Sequence, residues 1–184
     1  MKATGIVRRI DELGRVVIPK EIRRTLRIRE GDPLEIFVDR EGGVILKKYS
    51  PIGELGDFAK EYAESIHQSV GHIAVICDRD AVIAVSGAGK KELLDRPVNE
   101  AVEQLLVNRT RINASAERGE KLIPITADDA SLSFTAELIV PIISSGDAIG
   151  AVILLSKEQG IVFGQADIKV CETAAGFMGK QMEN

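Results

Sequence analysis

Arginine is the residue type with the most evident chemistry in this chain, and it is concentrated at one end. Arg8 and Arg9 are adjacent, Arg15 follows a glycine, and Arg23 and Arg24 form a second adjacent pair. A guanidinium is planar, permanently charged and rich in N–H donors. It therefore suits phosphate oxygens and the guanine edge of a DNA major groove better than an ammonium does. Spacing adds to residue type. Lys20, Arg23, Arg24 and Arg27 stand at i, i+3, i+4 and i+7, one stripe of a helix that points away from Ile22 and Leu26. These residues would bind a polyanion. The alternative at this point is a solvated basic face, with cations favoured near a helix C-terminus.

The charge distribution sharpens that choice. The whole chain of 184 residues has a net charge of −4. Residues 1–50 hold 12 Lys and Arg against 8 Asp and Glu, whereas residues 51–184 hold 12 against 20. A basic segment on an acidic chain points to a polyanionic partner at one end only, and a pI near 5.4 does not argue against a local footprint.

Other residues with chemical potential form no site. Gly87-Ala88-Gly89-Lys90 suggests a phosphate loop, but that pattern needs glycine where Ala84 stands and Ser or Thr where Lys91 stands. His67 and His72 are the only histidines, with no cysteine or carboxylate pattern to complete a metal site. Cys77 and Cys171 match no metal or disulfide spacing and read as small core residues of a reduced, cytoplasmic protein. Asp128 and Asp129 could border a pocket or form a solvated acidic loop. No catalytic constellation and no metal site are expected; no cofactor is identified, and any small-molecule effector is unknown. Apolar runs such as 138–143 are far shorter than the ~20 residues of a membrane span, and residues 1–10 lack the apolar core of a signal peptide.

The elements that must position the arginines read as follows. Gly5–Ile10 and Arg15–Ile18 are short β-branched strands around the turn Asp11–Gly14. Pro19 suits a helix start, Lys20–Leu26 is a short amphipathic helix, and Leu34–Val38 and Val44–Lys48 form a hairpin. Fifty residues without metal or disulfide make a marginal core, so a second subunit is expected. Residues 51–55 read as a linker, and 56–184 as a second domain. The clearest helix runs over 54–70, where Leu55, Ala59, Tyr62, Ile66 and Ser69 also follow the seam spacing of a coiled coil. Strands are expected at 73–77, 81–85, 121–125, 134–143 and 148–155. Helices are expected at 90–94, 99–107 and 165–180, the last with Ile168, Cys171, Ala175 and Met178 on one stripe. The sheet leans antiparallel and the class is α+β.

Thr4-Gly5-Ile6-Val7-Arg8-Arg9, Asp11-Glu12-Leu13-Gly14-Arg15-Val16-Val17-Ile18-Pro19, Glu21-Ile22-Arg23-Arg24-Thr25-Leu26 and Leu46-Lys47-Lys48-Tyr49 resemble the AbrB-like swapped-hairpin transition-state regulators over essentially all of residues 1–50. The resemblance implies a β-barrel-like dimer in which hairpins of two chains interleave. It also implies DNA contacts from Arg8, Arg15, Arg23 and Arg24, with Arg9 added where relatives carry Lys; it assigns no role to Lys20 or Arg27. Pro141-Ile142-Ile143, Gly146–Val152, Phe163 and the closing helix with Asp167 resemble a GAF domain, an α/β small-molecule sensor fold. With both parts included, the chain is similar to regulators of spore-forming bacteria. This implies a sequence-specific activator and repressor of sporulation genes that binds double-stranded DNA as a swapped dimer, joined into a homotetramer. The rivals are an antitoxin, which would end in a disordered toxin-wrapping tail rather than a folded domain, and a cysteine-dependent GAF-type reductase, for which an appropriate cysteine cluster is lacking.

Overall fold

In the computed structural model, residues 5–54, 56–127 and 133–183 are described, and the chain divides into two compact units, Met1–Tyr49 and Ser50–Asn184. Asp128 and Asp129 lie outside the described residues.

The first unit holds one helix and one hairpin. Pro19, with its fixed φ of −58°, precedes helix α1 (Lys20–Thr25), which ends where Arg27 turns into the left-handed region. Strands β1 (Leu34–Val38) and β2 (Val44–Lys48) pair antiparallel, from Leu34 opposite Lys48 to Val38 opposite Val44. Their turn is set by Asp39, whose carboxylate accepts the N–H groups of Glu41 and Gly43 at 3.0 and 2.7 Å.

Two expected strands do not form here. Residues 5–10 and 15–18 join no ladder among the described residues, although a turn closes between them through Asp11 N–H to the Arg15 carbonyl, 3.1 Å. Their β-branched side chains find no core within one chain: Val7 is 85% and Val17 72% exposed. No described residue of 5–49 is buried. Arg27 also leaves the expected basic stripe, because the helix stops before it.

The second unit is a five-stranded antiparallel sheet covered on both faces. Strands β3 (Ile73–Asp78), β4 (Val82–Ser86), β5 (Ile112–Ser115), β6 (Ala136–Ser144) and β7 (Asp147–Ser156) run in the order β4-β3-β7-β6-β5. One face carries Ala74, Ile76, Leu138, Val152 and Leu154. It packs on α2 (Pro51–Glu54), α3 (Gly56–Val70) and α6 (Gln165–Gln181) through Ile52, Ala59, Ala63, Ile66, Ile168, Cys171 and Met178. The other face carries Val75, Cys77, Ile139 and Ile153 against α4 (Lys90–Leu93) and α5 (Glu100–Asn108), through Leu93, Val102, Leu105 and Leu106. Helix α5 starts at Asn99, whose side-chain oxygen accepts the Ala101 N–H at 3.0 Å.

Three expectations change in this unit. Pro51–Glu54, read as linker, is one helical turn with Ile52 fully buried. Ile52 seats over Gly150 of β7, where a Cβ would collide with the Cys77 carbonyl oxygen. The stretch 121–125 is no strand; instead the N–H of Ile123 is taken by the buried carboxylate of Glu137 at 2.9 Å. Strand β5, not expected, forms the sheet edge beside β6.

Candidate nucleic-acid interface

The site starts from how each arginine is presented. Arg8, Arg9 and Arg24 are exposed, and they form no ion pair among the described residues. Among the described residues, Arg8 Nη1 donates to the neighbouring Val7 carbonyl at 3.3 Å. Elsewhere surface arginines are matched: Arg118 meets Glu120 at 2.7 Å, Arg109 meets Asp147 at 3.5 Å, and Arg111 meets Glu172. At Arg8, Arg9 and Arg24 of the first unit, by contrast, an incoming anion displaces water rather than a carboxylate.

Arg15 is held differently. Asp11 opens the Asp11–Gly14 turn, and its Oδ1 accepts the Leu13 and Arg15 N–H groups at 3.0 and 2.8 Å. Its Oδ2 accepts Arg15 Nε at 2.8 Å. This pairing engages one nitrogen of the fork and leaves the Arg15 side chain 71% exposed, so Asp11 orients Arg15 without consuming it. The same bonds hold the Asp11 carboxyl below the ordinary carboxylate range, the Arg15 backbone N–H contributing most and its guanidinium next. Sequence reasoning assigned Asp11 to a turn and gave it no role. An Asp at the first position of a turn closed by Gly14 was the available signal.

On α1, Arg24 is exposed and Arg23 half-buried. The Arg23 Nε atom is shielded from solvent and meets no acceptor among the described residues. A shielded donor without an acceptor is costly, on the order of 1–3 kcal/mol. Lys20 begins the same helix and is exposed. One 49-residue unit therefore contains all five expected arginines: two on the extended N-terminal segment, one at the turn, two on the helix.

The second unit holds no comparable basic site among its described residues, and its thiols are ill-suited to nucleophilic work. Burial pushes both Cys77 and Cys171 up to about 12. They also lie in the cores on opposite faces of the sheet, Cys77 on β3 facing α4 and α5, and Cys171 on α6 against the other face. No group of three His, Cys, Asp or Glu that could hold a metal occurs among the described residues. None of their helices is long and apolar enough to cross a membrane.

What α3 and α6 leave exposed is a shallow groove of about 370 Å³, lined by Tyr62, Ser65, Ile66, Ser69, Val170 and Thr173 among others. Beside it Phe58, Tyr62 and Phe177 form a ring stack, with centroids 5.5 Å apart for Phe58–Tyr62 and 5.7 Å for Tyr62–Phe177. The expected coiled-coil seam is thereby divided. Ala59 and Ile66 are spent on the molecule's own sheet, while Tyr62 and Ser69 line the groove; Leu55 lies outside the described residues.

Comparison with known proteins agrees with this division. The family described as "Stage V sporulation protein T C-terminal, transcription factor" matches residues 54–183. The family described as "Antidote-toxin recognition MazE, bacterial antitoxin" matches residues 7–54. Stage V sporulation protein T of Bacillus subtilis (strain 168) is 57% identical over 183 residues, which cover 100% of this chain and 99% of that protein. Transition state regulatory protein AbrB of the same organism is 71% identical over 51 residues, 28% of this chain and 52% of that protein. Among solved structures, the PixJ GAF domain of Thermosynechococcus elongatus in its blue-light absorbing form matches with a TM-score of 0.60 at 13% identity. That match covers 74% of this chain and 89% of that one. The GAF domain of the Acinetobacter phosphoenolpyruvate-protein phosphotransferase gives 0.57 at 12% identity, covering 74% and 84%. At such identities the likeness concerns the fold of the second unit.

Proposed function

The chain belongs to the stage V sporulation protein T family, and we propose that it is a sequence-specific DNA-binding regulator, activator and repressor, of sporulation genes in the cytoplasm. The observation that carries this reading is the set of guanidinium groups presented by the first unit, on a segment 71% identical to AbrB over 51 residues. Arg8, Arg9 and Arg24 are exposed without an acidic partner among the described residues, and Arg15 is oriented by Asp11. Arg8, Arg9, Arg15, Arg23 and Arg24 are the proposed contacts. Exposed arginines at a turn and on a short helix suit both phosphates and base edges, and a duplex supplies acceptors for Arg8, Arg9 and Arg24. The protein acts by binding rather than by catalysis.

The N-terminal unit dimerises, because its β-branched face has no other means of burial. A dimer presents each arginine twice and reads two half-sites at a spacing set by its own geometry. The homotetramer is the finer reading: two swapped dimers join through the α3–α6 faces, where Phe177 remains 43% exposed beside Tyr62. The GAF-like unit then serves as assembly platform and as sensor of an effector of unknown class. The antitoxin alternative is disfavoured by residues 56–183, a folded domain in place of a toxin-wrapping tail.

The test is fluorescence anisotropy with duplexes selected from random sequence by the wild-type protein. Arg15→Ala and Arg24→Ala each weaken binding by roughly 10- to 100-fold, as expected when a contact worth ~1–3 kcal/mol is removed. Wild-type affinity in both variants would reject the assignment.

A further inference from the structure

Not every cation of the DNA-binding unit faces outward. Lys48, the last residue of β2, directs its Nζ inward to the Arg27 carbonyl at 2.9 Å and to Asp32 Oδ2 at 3.2 Å. The Asp32 side chain is only 4% exposed and that of Lys48 21%. The same Asp32 oxygen accepts the Arg29 N–H at 2.8 Å, and Asp32 N–H returns to the Arg29 carbonyl at 3.3 Å. The loop that leaves α1 is thus tied at Arg27, Arg29 and Asp32 to the base of the hairpin, where Lys48 sits opposite Leu34.

That loop begins on the DNA-binding arginines themselves. The Arg23 carbonyl is capped by the Ile28 N–H at 2.7 Å, and the Arg24 carbonyl by the Arg27 N–H at 3.3 Å. Arg27 holds a φ of +52°, a conformation that a non-glycine residue keeps only when its surroundings impose it. The Lys48 ammonium on the Arg27 carbonyl is such an imposition. Withdrawing it to reach a phosphate would take an ammonium away from a carboxylate whose side chain is only 4% exposed, which is unfavourable. Lys47, one residue earlier, instead lies over the exposed ring of Phe37, 4.8 Å from its centroid.

We infer that Lys48 and Asp32 are positioning residues of the DNA interface, a buried pair that fixes the exit of α1 and so the direction of Arg23 and Arg24, and that Lys48 is not a phosphate ligand. The inference rests on the DNA-binding reading above. It also reverses what charge alone would suggest. Removing the Asp32 charge from a DNA-binding unit should tighten binding if only net charge mattered, but weaken it if the pair positions the helix.

The experiment uses full-length protein and a labelled duplex selected by the wild type, with affinity measured across a series of salt concentrations. Active concentration is titrated for each variant, so loss of folded protein alters the endpoint and leaves the dissociation constant unmoved. Arg24→Ala is the control: losing one phosphate contact per chain lowers the log–log salt slope by up to about 2 units in a dimer, at about 0.9 per contact. Lys48→Met and Asp32→Asn are expected to weaken binding roughly tenfold, the size of an effect transmitted through neighbours, with the slope of the wild type. Lys48→Arg, which keeps the donor, restores most of the affinity. A slope lowered by Lys48→Met as much as by Arg24→Ala would make Lys48 a phosphate ligand and overturn the inference. Binding by Asp32→Asn as tight as the wild type, or tighter, would overturn it equally. Asp32→Asn is nearly isosteric and decides the matter if Lys48→Met does not fold. An Arg24→Ala protein with unchanged affinity and slope would instead reject the DNA-interface reading itself.

Discussion

The two units of this chain solve the problem of burial in opposite ways. The C-terminal sheet has both faces covered by its own helices, and Leu138, Ile139, Ile153 and Leu154 are fully buried without help from another molecule. None of the described residues of the N-terminal unit is buried: Val38 is 74% exposed, and residues 5–18 contribute no ladder among the described residues. One unit completes its core within one chain; the described residues of the other do not. The difference teaches why a second copy is proposed: residues 5–18, which carry Arg8, Arg9 and Arg15, join no ladder among the described residues of one chain.

The strongest way to break this comparison is to damage the self-sufficient unit and dilute the other. Leu154→Ala, in the middle of β7, is expected to cost about 2–5 kcal/mol, and to lower the melting temperature of the second unit to the same extent at every protein concentration. The transition of the first unit should shift upward with protein concentration, as linkage requires of a fold completed by association. Scanning calorimetry over a hundredfold range of concentration separates the two. A first unit whose melting ignores concentration would end the distinction.

An intermediate effect sharpens the comparison at the assembly level. If the second unit also joins copies, it does so through surface rather than through an unfinished core. Phe177→Glu places a charge at the edge of the Phe58–Tyr62–Phe177 stack, and should halve the mass seen by light scattering, from tetramer to dimer, with the fold intact. An unchanged tetramer would move the contact elsewhere.

The smallest expected effect concerns the Asp11 turn. Its carboxyl is held below the ordinary range in the folded turn, so the stabilisation is present above the usual carboxylate pKa and is lost as pH falls through the depressed folded value. Amide chemical shifts of Leu13 and Arg15 should therefore titrate together, at a pH below that of an unperturbed aspartate. Asp11→Asn should abolish that titration, and a titration at the ordinary value would show that the turn does not grip the carboxylate.

Much of this was legible from residue types. The arginines of the first fifty residues, the β1–β2 hairpin and the apolar runs of β3, β6 and β7 follow from composition and spacing. The stripe Ile168, Cys171, Ala175 and Met178 of α6 is buried as its spacing implied. Other features were hidden for physical reasons. Strand β5, Ile112-Asn113-Ala114-Ser115, is an edge strand in which polar residues bond to the loop before α6: Asn113 Nδ2 donates to the Phe163 carbonyl at 3.0 Å and Ser115 Oγ to that of Ile161 at 2.6 Å. It therefore lacks an apolar signature. Residues 121–125 have that signature, yet a single carboxylate, Glu137, takes the place of a ladder. Residues 50–53 look like a linker because Ser, Pro and Gly dominate them, and only the close approach at Gly150 reveals why Ile52 is buried. At the candidate site, the arginines were readable because exposed charge declares itself. Asp11 and the Asp32–Lys48 pair were not, since positioning depends on which atoms meet after folding.

The central claim, that the strands bearing the first arginines are completed by a second chain, has a direct test. Full-length or N-terminal protein labelled with ¹³C and ¹⁵N is mixed with unlabelled protein, refolded together, and examined by isotope-filtered NOE spectroscopy. The account predicts cross-peaks between residues 5–18 of the labelled chain and the unlabelled partner, Val7 and Val17 among them. Cross-peaks for these residues confined to a single chain would contradict it.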